Sequence, residues 1–379
     1  MDLQPNRRME MNRPRGLILE RLNNGEPIIA PSENWWETGV TFNAAAVYVE
    51  PTPANAPVIR ALLPEGAPAE QLSDGVVAVH YRARPEVDPG SAFVRSFIGL
   101  AVFTPDLKPL YRWPEPVILP DPDPNGFDTL GVEDPRITRL GGTFYMVYCG
   151  LAADPVTTYQ ARLCMATSTD LVHWKKLGVI PSSTMNNDNK DGVLFPEPVN
   201  GKYYLLHRPY APNIPRDIRL AEANAPEGPY TDLGVMMQPY HNPRMKTSWL
   251  GAGSVPIPAG GGRYIEIYHT GNAFNADDRE YDLAAALIDF NAGEPAADPA
   301  KLVTNRLEPM MVPETPAELR SHSQLQVGNV LFACGSYEYR SDVFIIYGGA
   351  DTYTLAAKVR KEDMLRAVEE AGLENPYTD

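Results

Sequence analysis

Acidic and basic residues that could carry out acid chemistry stand side by side in the stretch GVEDPRIT. Asp134 follows Glu133 and precedes Pro135 and Arg136. A carboxyl group held at the start of a strand could donate a proton as a general acid. Because proline disfavours helical backbone for the residue before it, we expect extended geometry at Asp134, with Arg136 on the same side of the strand.

Further polar residues lie near the ends of strand-like segments and could join Asp134 in one site. They comprise carboxylates, cations, an imidazole and an amide, a mixture that suits a polyhydroxylated substrate together with an anion. Each residue alone also has a structural interpretation as a turn former, a solvated loop residue or a buried core histidine. The candidates are Asn43, Arg82, Asp134, Lys190, Arg208, 251–254, His269 and Asp351.

Repeated strand-like segments must bring these residues together. Each repeat pairs a segment that alternates aromatic and β-branched residues with a following strand that ends in small residues. When one alanine of each following strand is aligned, the steps are 65, 55, 64 and 65 residues. Five such units cannot each bury a core, but stacked around an axis they can. The alternating segments are 76–84, 143–150, 202–209, 263–271 and 329–337, and the aligned alanines are Ala101, Ala166, Ala221, Ala285 and Ala350.

The even spacing therefore predicts an all-β fold, a five-bladed β-propeller with a C-terminal helix. A large two-sheet sandwich would explain the strands but not their spacing. We expect a single domain over 1–379, with an N-terminal arm at 1–30 and a C-terminal helical tail at 358–379. In the tail, Met364, Leu365, Val368 and Leu373 could line one face of the helix.

Composition excludes several classes of partner. The formal net charge is -15, which argues against nucleic acid and against an anionic membrane surface. No stretch approaches the roughly 20 apolar residues that cross a bilayer, and no signal peptide is evident, so the sequence predicts a cytoplasmic protein. The three cysteines have no metal spacing and read as reduced core thiols, and no metal site is predicted.

Several stretches resemble glycoside hydrolase family 130, the β-mannoside phosphorylases and their hydrolytic relatives. The resemblance extends over nearly the whole chain and implies the same five-bladed propeller. It implies an inverting phosphorylase that acts on a β-mannoside, of mannooligosaccharide or mannosyl-glucose type, and releases α-mannose 1-phosphate. Inorganic phosphate would be the co-substrate, with no other cofactor. The matching stretches are 35–47, 131–138, 189–209, 249–258, 267–271, 312–314 and 347–351.

The resemblance also assigns roles to individual residues. Asp134 matches the general acid, which would act through the O3 hydroxyl of the mannosyl unit. Two further groups match positions for the sugar and for phosphate. The sugar-binding residues would be Asn43, Arg82, Glu133, Arg136 and Asp351, and the phosphate-binding residues would be Lys190, Arg208 and His269.

One departure from the family pattern leaves an alternative open. Phosphorylases commonly have a lysine just before the GAG turn, where this chain has Leu250, and Lys246 is four residues upstream. A weaker phosphate site would favour hydrolysis on the same scaffold, with Glu197 or Glu222 as a candidate base. A third interpretation is a sugar-binding propeller without catalysis. The segment 272–280 is an unfamiliar insertion, and a homo-oligomer is left open.

Overall fold

The computed structural model describes residues 17–64, 73–88, 91, 93–154, 158–185, 188–210, 214–243, 245–273, 279–321 and 327–377. Their strands form five antiparallel sheets, which confirms the predicted five-bladed propeller. Four sheets have four strands each, and the fourth blade has a fifth strand that pairs with its second. Within the described residues, no helix is both long and apolar enough to span a membrane.

The blades follow one another along the chain. Blade 1 contains β2–β5, blade 2 β6–β9, blade 3 β10–β13, blade 4 β14–β18, and blade 5 β19–β21 together with β1. The strands are β1 Glu20–Arg21, β2 Val40–Val49, β3 Val76–Arg84, β4 Phe97–Phe103, β5 Pro109–Arg112, β6 Gly131–Leu140, β7 Thr143–Asp154, β8 Thr158–Ser168, β9 Lys175–Val179, β10 Asn189–Leu194, β11 Tyr203–Pro209, β12 Ile218–Ala223, β13 Thr231–Met237, β14 Thr247–Ala252, β15 Ile257–Gly260, β16 Arg263–Ala273, β17 Arg279–Asp289, β18 Val303–Met311, β19 Leu331–Tyr339, β20 Asp342–Gly349 and β21 Tyr353–Arg360. The helices are α1 Ala56–Leu62, α2 Pro316–Leu319 and α3 Lys361–Ala371, with 3₁₀ turns at Leu22–Gly25 and Pro299–Leu302.

The ring is closed by the N-terminal part of the chain. β1 pairs with β21 and forms the outermost strand of blade 5. Arg21 holds this strand in place, because its guanidinium donates to Glu318 Oε1 over 2.8 Å and to the carbonyl of Val312 over 2.7 Å. Both ends of the described chain therefore contribute to one blade, an arrangement that resists opening of the ring.

Apolar clusters bind each blade to its two neighbours. A four-stranded blade cannot bury both of its faces alone, so every face packs against the next sheet. Within the described residues, each of the five blade boundaries has such a cluster. Representative buried pairs are Leu100 with Met146, Leu163 with Leu205, Leu206 with Ile288, Leu283 with Ile345, and Ile346 with Val79.

The fifth repeat unit is offset by one strand from the predicted alignment. Four of the alternating segments are second strands, whereas 329–337 largely coincides with β19, the innermost strand of blade 5. Ala350 lies in the turn after β20 and is not the equivalent of Ala285. Ala357 takes that place, because it faces Ile345 on β20 as Ala285 faces Ile267 on β16.

The C-terminal helix packs against blades 4 and 5. Met364 and Val368 are fully buried in the same cluster that joins these blades. Leu365 is partly buried against it, while Leu373 follows the end of α3 and is 51% exposed, so Leu373 does not extend the apolar face as predicted. The cysteines are free and buried, as predicted.

Candidate active site

Bulges in the innermost strands turn polar side chains toward the propeller axis. The strand register shifts at Asn43 in β2, at Asp134 in β6 and at Asp191 in β10. Their φ angles are 47°, 51° and 53°, in a region that Asn and Asp tolerate better than most residues. The predicted extended geometry at Asp134 is therefore wrong, because the bulge outweighs the preference of a residue before proline.

These side chains meet in a cavity of ≈ 170 Å³ at the axis. Six of the predicted site residues line it: Asn43, Arg82, Asp134, Lys190, Arg208 and Asp351. The other three, Glu133, Arg136 and His269, lie behind the wall, although they contact residues that form it. The remaining lining residues are Phe42, Asp191, Tyr210, Arg216, Trp249, Arg279, Tyr281 and Phe332.

Asp134 is held in its charged form by its neighbours. Its Oδ1 accepts hydrogen bonds from Asn43 Nδ2 over 2.9 Å and from Arg82 Nη1 over 3.2 Å. Burial alone would raise the pKa of Asp134, but the charges of Arg82, Arg136 and Lys190 and the Asn43 hydrogen bond lower it further than burial raises it. This carboxyl is therefore ionised at neutral pH.

Asp351 faces the same cavity from the turn after β20 and behaves differently. Burial raises its pKa to about 7; Arg82 opposes this rise, whereas the carboxylates of Asp134 and Glu133 add to it. The carboxyl groups of Asp134, Glu133 and Asp351 thus share two cations, Arg82 and Lys190. Both cations form ion pairs with Glu133. Asp351 therefore carries a proton in part of the molecules near neutral pH.

Lys190 and Arg208 face the cavity from blade 3, each beside a carboxylate. Lys190 Nζ is 3.6 Å from Glu133 Oε2 and 4.9 Å from the ring centre of Tyr210. Arg208 Nε donates to Asp191 Oδ2 over 2.6 Å. Both cations are close enough to the axis to attract an anion, but each has part of its charge balanced already.

His269 lies beneath Asp191 and does not line the cavity. Its Nε2 is 3.6 Å from Asp191 Oδ2, and its ring packs 4.1 Å from the ring of Phe332, centre to centre. Burial lowers the pKa of His269 to about 3, so the imidazole is neutral. A Cβ at Gly251 would come within 2.2 Å of Asp191 Oδ2 and 2.3 Å of the imidazole, which explains the need for glycine. This geometry suits a residue that positions Asp191 better than one that contacts an anion.

Arg136 runs below the cavity and joins three blades. It donates to the carbonyls of Ala252 and Gly253, each over 3.0 Å, and to the carbonyl of Asp134 over 3.1 Å. Its Nη2 also lies 3.4 Å from Asp191 Oδ1. The bulge at Asp134 breaks the alternation that would have placed both side chains on one side, so Arg136 does not line the cavity.

The residues tied to the alternative of hydrolysis lie away from the cavity wall. Leu250 is fully buried in the apolar cluster between blades 3 and 4, and its neighbours Trp249 and Gly251 face the axis instead. A side chain at position 250 therefore points away from the cavity. Glu197 accepts a hydrogen bond from the Tyr264 hydroxyl over 2.8 Å, outside the cavity wall. Glu222 is on β12, with its Oε1 3.7 Å from Lys202 Nζ, and it does not line the cavity either.

Several lining residues had no place in the sequence analysis. Asp191 could have been found, because it follows Lys190 as Asp134 follows Glu133 at the start of the preceding blade. Arg279 and Tyr281 alternate at the start of β17 and so share one side of the strand. Arg216 lies between β11 and β12, where no periodicity points to it. Within the described ranges, no group of three or more His, Cys, Asp or Glu residues could hold a metal ion.

Comparisons with known proteins agree with the resemblance. The model of glycoside hydrolase family 130, described as beta-1,4-mannooligosaccharide phosphorylase, matches residues 76–370. The chain is 29% identical over 348 residues to a 1,2-beta-oligomannan phosphorylase of Thermoanaerobacter sp. (strain X514), covering 91% of this chain and 98% of the relative. It is 30% identical over 345 residues to a beta-1,2-mannobiose phosphorylase of the same strain, with the same two coverages.

A solved structure supports the fold. The beta-1,2-mannobiose phosphorylase from Listeria innocua, in complex with beta-1,2-mannobiose, matches with a TM-score of 0.68 at 21% identity, covering 93% of this chain and 99% of that one. At this identity the likeness concerns the propeller alone. The family model, by contrast, covers most of the sequence, so the chain is an enzyme of glycoside hydrolase family 130.

Proposed function

We propose that the chain is an inverting phosphorylase that converts a β-mannoside and phosphate into α-mannose 1-phosphate and a released sugar. The observation that carries this proposal is the composition of the axial cavity. In this cavity, Asp134 accepts hydrogen bonds from Asn43 and Arg82, and the cations Lys190 and Arg208 line the same space. A carboxyl group opposite cations is what phosphorolysis requires, because phosphate supplies the nucleophile and the enzyme supplies acid and positive charge.

The proposed reaction assigns a role to each side of the cavity. The mannosyl unit binds against Asn43, Arg82 and Asp351, close to Asp134. A phosphate oxygen forms a bond to the anomeric carbon while the bond to the leaving oxygen breaks, with inversion. The leaving oxygen takes a proton that Asp134 provides through the O3 hydroxyl of the sugar.

The ionised state of Asp134 sets a condition on this step. The carboxyl must gain its proton when the substrates bind. Exclusion of water by the sugar and the approach of a phosphate anion both raise the pKa of a carboxyl group, so binding itself favours this protonation. Lys190 and Arg208 would hold the phosphate, and Glu133, Arg136 and His269 would position the residues that touch the substrates.

Hydrolysis is the less supported alternative. Among described residues, the lining carboxylates besides Asp134 are Asp191 and Asp351. Asp191 is bound by Arg208, and its pKa is held well below the usual range: burial opposes this shift, and the charges of Arg208 and Arg136 outweigh burial. Asp191 is therefore a weak base for activating water, and Asp351, whose pKa is about 7, is proposed to bind the sugar.

The finer points of the proposal concern linkage, location and assembly. Two relatives whose alignments cover 91% of this chain are named for β-1,2-linked substrates, so we propose this linkage, although the family description names β-1,4.

We place the enzyme in the cytoplasm, where a charged sugar phosphate is retained. The acidic net charge of -15 supports a small-molecule substrate over nucleic acid or a membrane surface, and a homo-oligomer remains part of the proposal.

Product analysis tests the proposal directly. The protein is incubated with β-1,2-mannobiose, β-1,4-mannobiose or a β-mannosyl-glucose, each with and without phosphate, and the products are separated. We expect α-mannose 1-phosphate only when phosphate is present, and fastest from the β-1,2-linked substrate. Free mannose at the same rate without phosphate would establish hydrolysis instead. No product from any of the three would leave the sugar-binding interpretation.

A further inference from the structure

The charges around the axial cavity do not balance. Five basic side chains and three carboxylates line it. Three of the cations are close to carboxylates: Arg82 contacts Asp134, Lys190 contacts Glu133 behind the wall, and Arg208 contacts Asp191. The remaining two, Arg216 and Arg279, form no ion pair with a carboxylate of the described ranges.

Arg216 is nevertheless held in a defined place. Its carbonyl accepts a hydrogen bond from the backbone N–H of Leu250 over 3.1 Å, which fixes the loop against β14. Its guanidinium carbon lies 4.7 Å from the ring centre of Tyr210 and 6.0 Å from that of Trp249. Contacts with aromatic faces of this kind orient a guanidinium group while leaving its N–H donors free for an oxyanion.

Trp249 forms part of the cavity wall together with the two arginines. Its indole lies so close to β16 that a Cβ at Gly271 would come within 1.9 Å of it, so the glycine allows the ring to lie against the strand. The ring of Tyr281 packs 5.2 Å from it, centre to centre. Arg279 is two residues before Tyr281 on β17 and therefore on the same side of that strand.

A second cavity continues outward from this wall. It has a volume of ≈ 420 Å³ and shares Arg216, Trp249 and Arg279 with the axial cavity. Lys246 adds a third cation, and no acidic residue among the described ones lines this cavity. In a protein with a net charge of -15, a cavity whose charged lining residues, as far as the structure describes them, are all cations provides a local positive field that attracts anions.

We propose that Arg216 and Arg279 form an oxyanion-binding site at the junction of these two cavities, for a phosphate-class anion. The anion is either free phosphate or an anionic group carried on the departing sugar. Its identification with the co-substrate rests on the proposed function, but the binding itself does not. Two guanidinium groups can each donate paired hydrogen bonds to such an anion.

Binding measurements without turnover test this site. Inorganic phosphate, glucose 6-phosphate and neutral mannose are titrated into the full-length protein at fixed ionic strength by calorimetry. We expect Arg216→Gln and Arg279→Gln each to weaken binding of an anionic probe about tenfold or more, the loss of a charge-assisted hydrogen bond, with mannose unaffected. Arg340→Gln is the matched control, since Arg340 is an exposed arginine at a different surface pocket, and it should change each affinity less than about twofold.

The pattern of losses decides between the two sources of the anion. Weaker binding of inorganic phosphate identifies free phosphate, and weaker binding of glucose 6-phosphate alone identifies an anionic sugar. Equal binding by the variants and the unmodified protein, or no binding of either anion by the unmodified protein, overturns the site. Thermal melting confirms that the variants fold, and Arg216→Lys should recover part of the affinity, because it restores the charge but not the paired donors.

This experiment is independent of the proposed function. If the product analysis finds free mannose only, phosphorolysis fails while the oxyanion site stands on the binding data. If both glutamine variants bind phosphate and glucose 6-phosphate as the unmodified protein does, while mannose 1-phosphate still forms at normal phosphate dependence, the site fails while phosphorolysis stands.

Discussion

Asn43 donates a hydrogen bond from Nδ2 to Oδ1 of Asp134 over 2.9 Å, although the two residues are 91 positions apart and belong to different blades. Both occupy bulges with positive φ at the same level of their innermost strands. The repeat therefore places two polar side chains side by side at the axis, and their chemical types decide the result. An amide on blade 1 donates, and a carboxylate on blade 2 accepts.

Asp134→Asn should reduce phosphorolysis by about 10²–10⁴-fold, because an amide cannot transfer the proton to the leaving oxygen. Asparagine tolerates positive φ, so the bulge should persist and the variant should fold, although loss of the buried carboxylate beside Arg82 should lower its melting temperature. Initial rates of mannose 1-phosphate release measure the effect. Near-normal turnover by a folded variant would remove Asp134 from its proposed role.

The number of blades could be predicted from the sequence because hydrophobic alternation and spacing survive in every unit. The sequence pattern places the fifth unit one strand out of step, because the innermost strand of blade 5 also alternates and resembles the second strands of the other blades. Closure of the ring by β1 could not be foreseen, because two residues, Glu20 and Arg21, carry no periodicity. Strand identity in a blade depends on pairing partners, which the sequence pattern does not contain.

The site could be predicted in part for a related reason. Residues at the bulges and strand ends, such as Asp134 and Lys190, stood out by type and position. His269 stood out equally, yet it lies one layer below, because Gly251 lets Asp191 close over it. Arg216 was missed because its place depends on a loop conformation. Whether a side chain faces the cavity or lies behind its wall depends on packing, which hydrophobic alternation along a strand does not determine by itself.

Asp351→Asn should stabilise the protein more at pH 8 than at pH 5. The folded-state pKa of Asp351 is raised from 3.8 to about 7, so between these values the native state binds more protons than the unfolded state. Its stability therefore falls as pH rises through this interval and changes no further above it. The amide variant lacks this loss, because it has no proton to release.

The difference in melting temperature between this variant and the unmodified protein measures the effect. It should grow from pH 4 to pH 7 and then level off. Asp134→Asn is the matched control, since the pKa of Asp134 is lowered from 3.8 in the folded state despite burial, so its difference in melting temperature should stay flat from pH 4 to pH 7. A difference that is flat with pH for Asp351→Asn would show that this carboxyl titrates normally.

Asp191→Asn should destabilise the protein by about 3–5 kcal/mol, the cost of removing one partner of a buried ion pair. Asp191 and Arg208 are both buried, and Arg136 would lose its neighbouring carboxylate as well. Urea unfolding at pH 7 measures the change. The matched control is Asp74→Asn, which removes an exposed pair with Arg340 and should cost less than about 1 kcal/mol. Equal effects of the two substitutions would mean that burial adds nothing at Asp191.

Leu250→Lys should destabilise the fold without improving phosphate binding. The family pattern suggests that a lysine here would strengthen the phosphate site, but the side chain at this position is fully buried between blades 3 and 4. An ammonium group placed in this apolar cluster is penalised by desolvation. Leu250→Met is the control, since a swap of similar volume should cost less than about 1.5 kcal/mol.

Thermal melting and the phosphate dependence of turnover test this prediction together. The lysine variant should melt well below both the unmodified protein and the methionine variant, at an unchanged or higher KM for phosphate. A lysine variant that keeps its stability and binds phosphate more tightly would place the side chain of residue 250 in the cavity. Because Trp249 and Gly251 already face the axis, that result would require β14 to shift its register by one residue, which reverses the facing of every side chain in the strand.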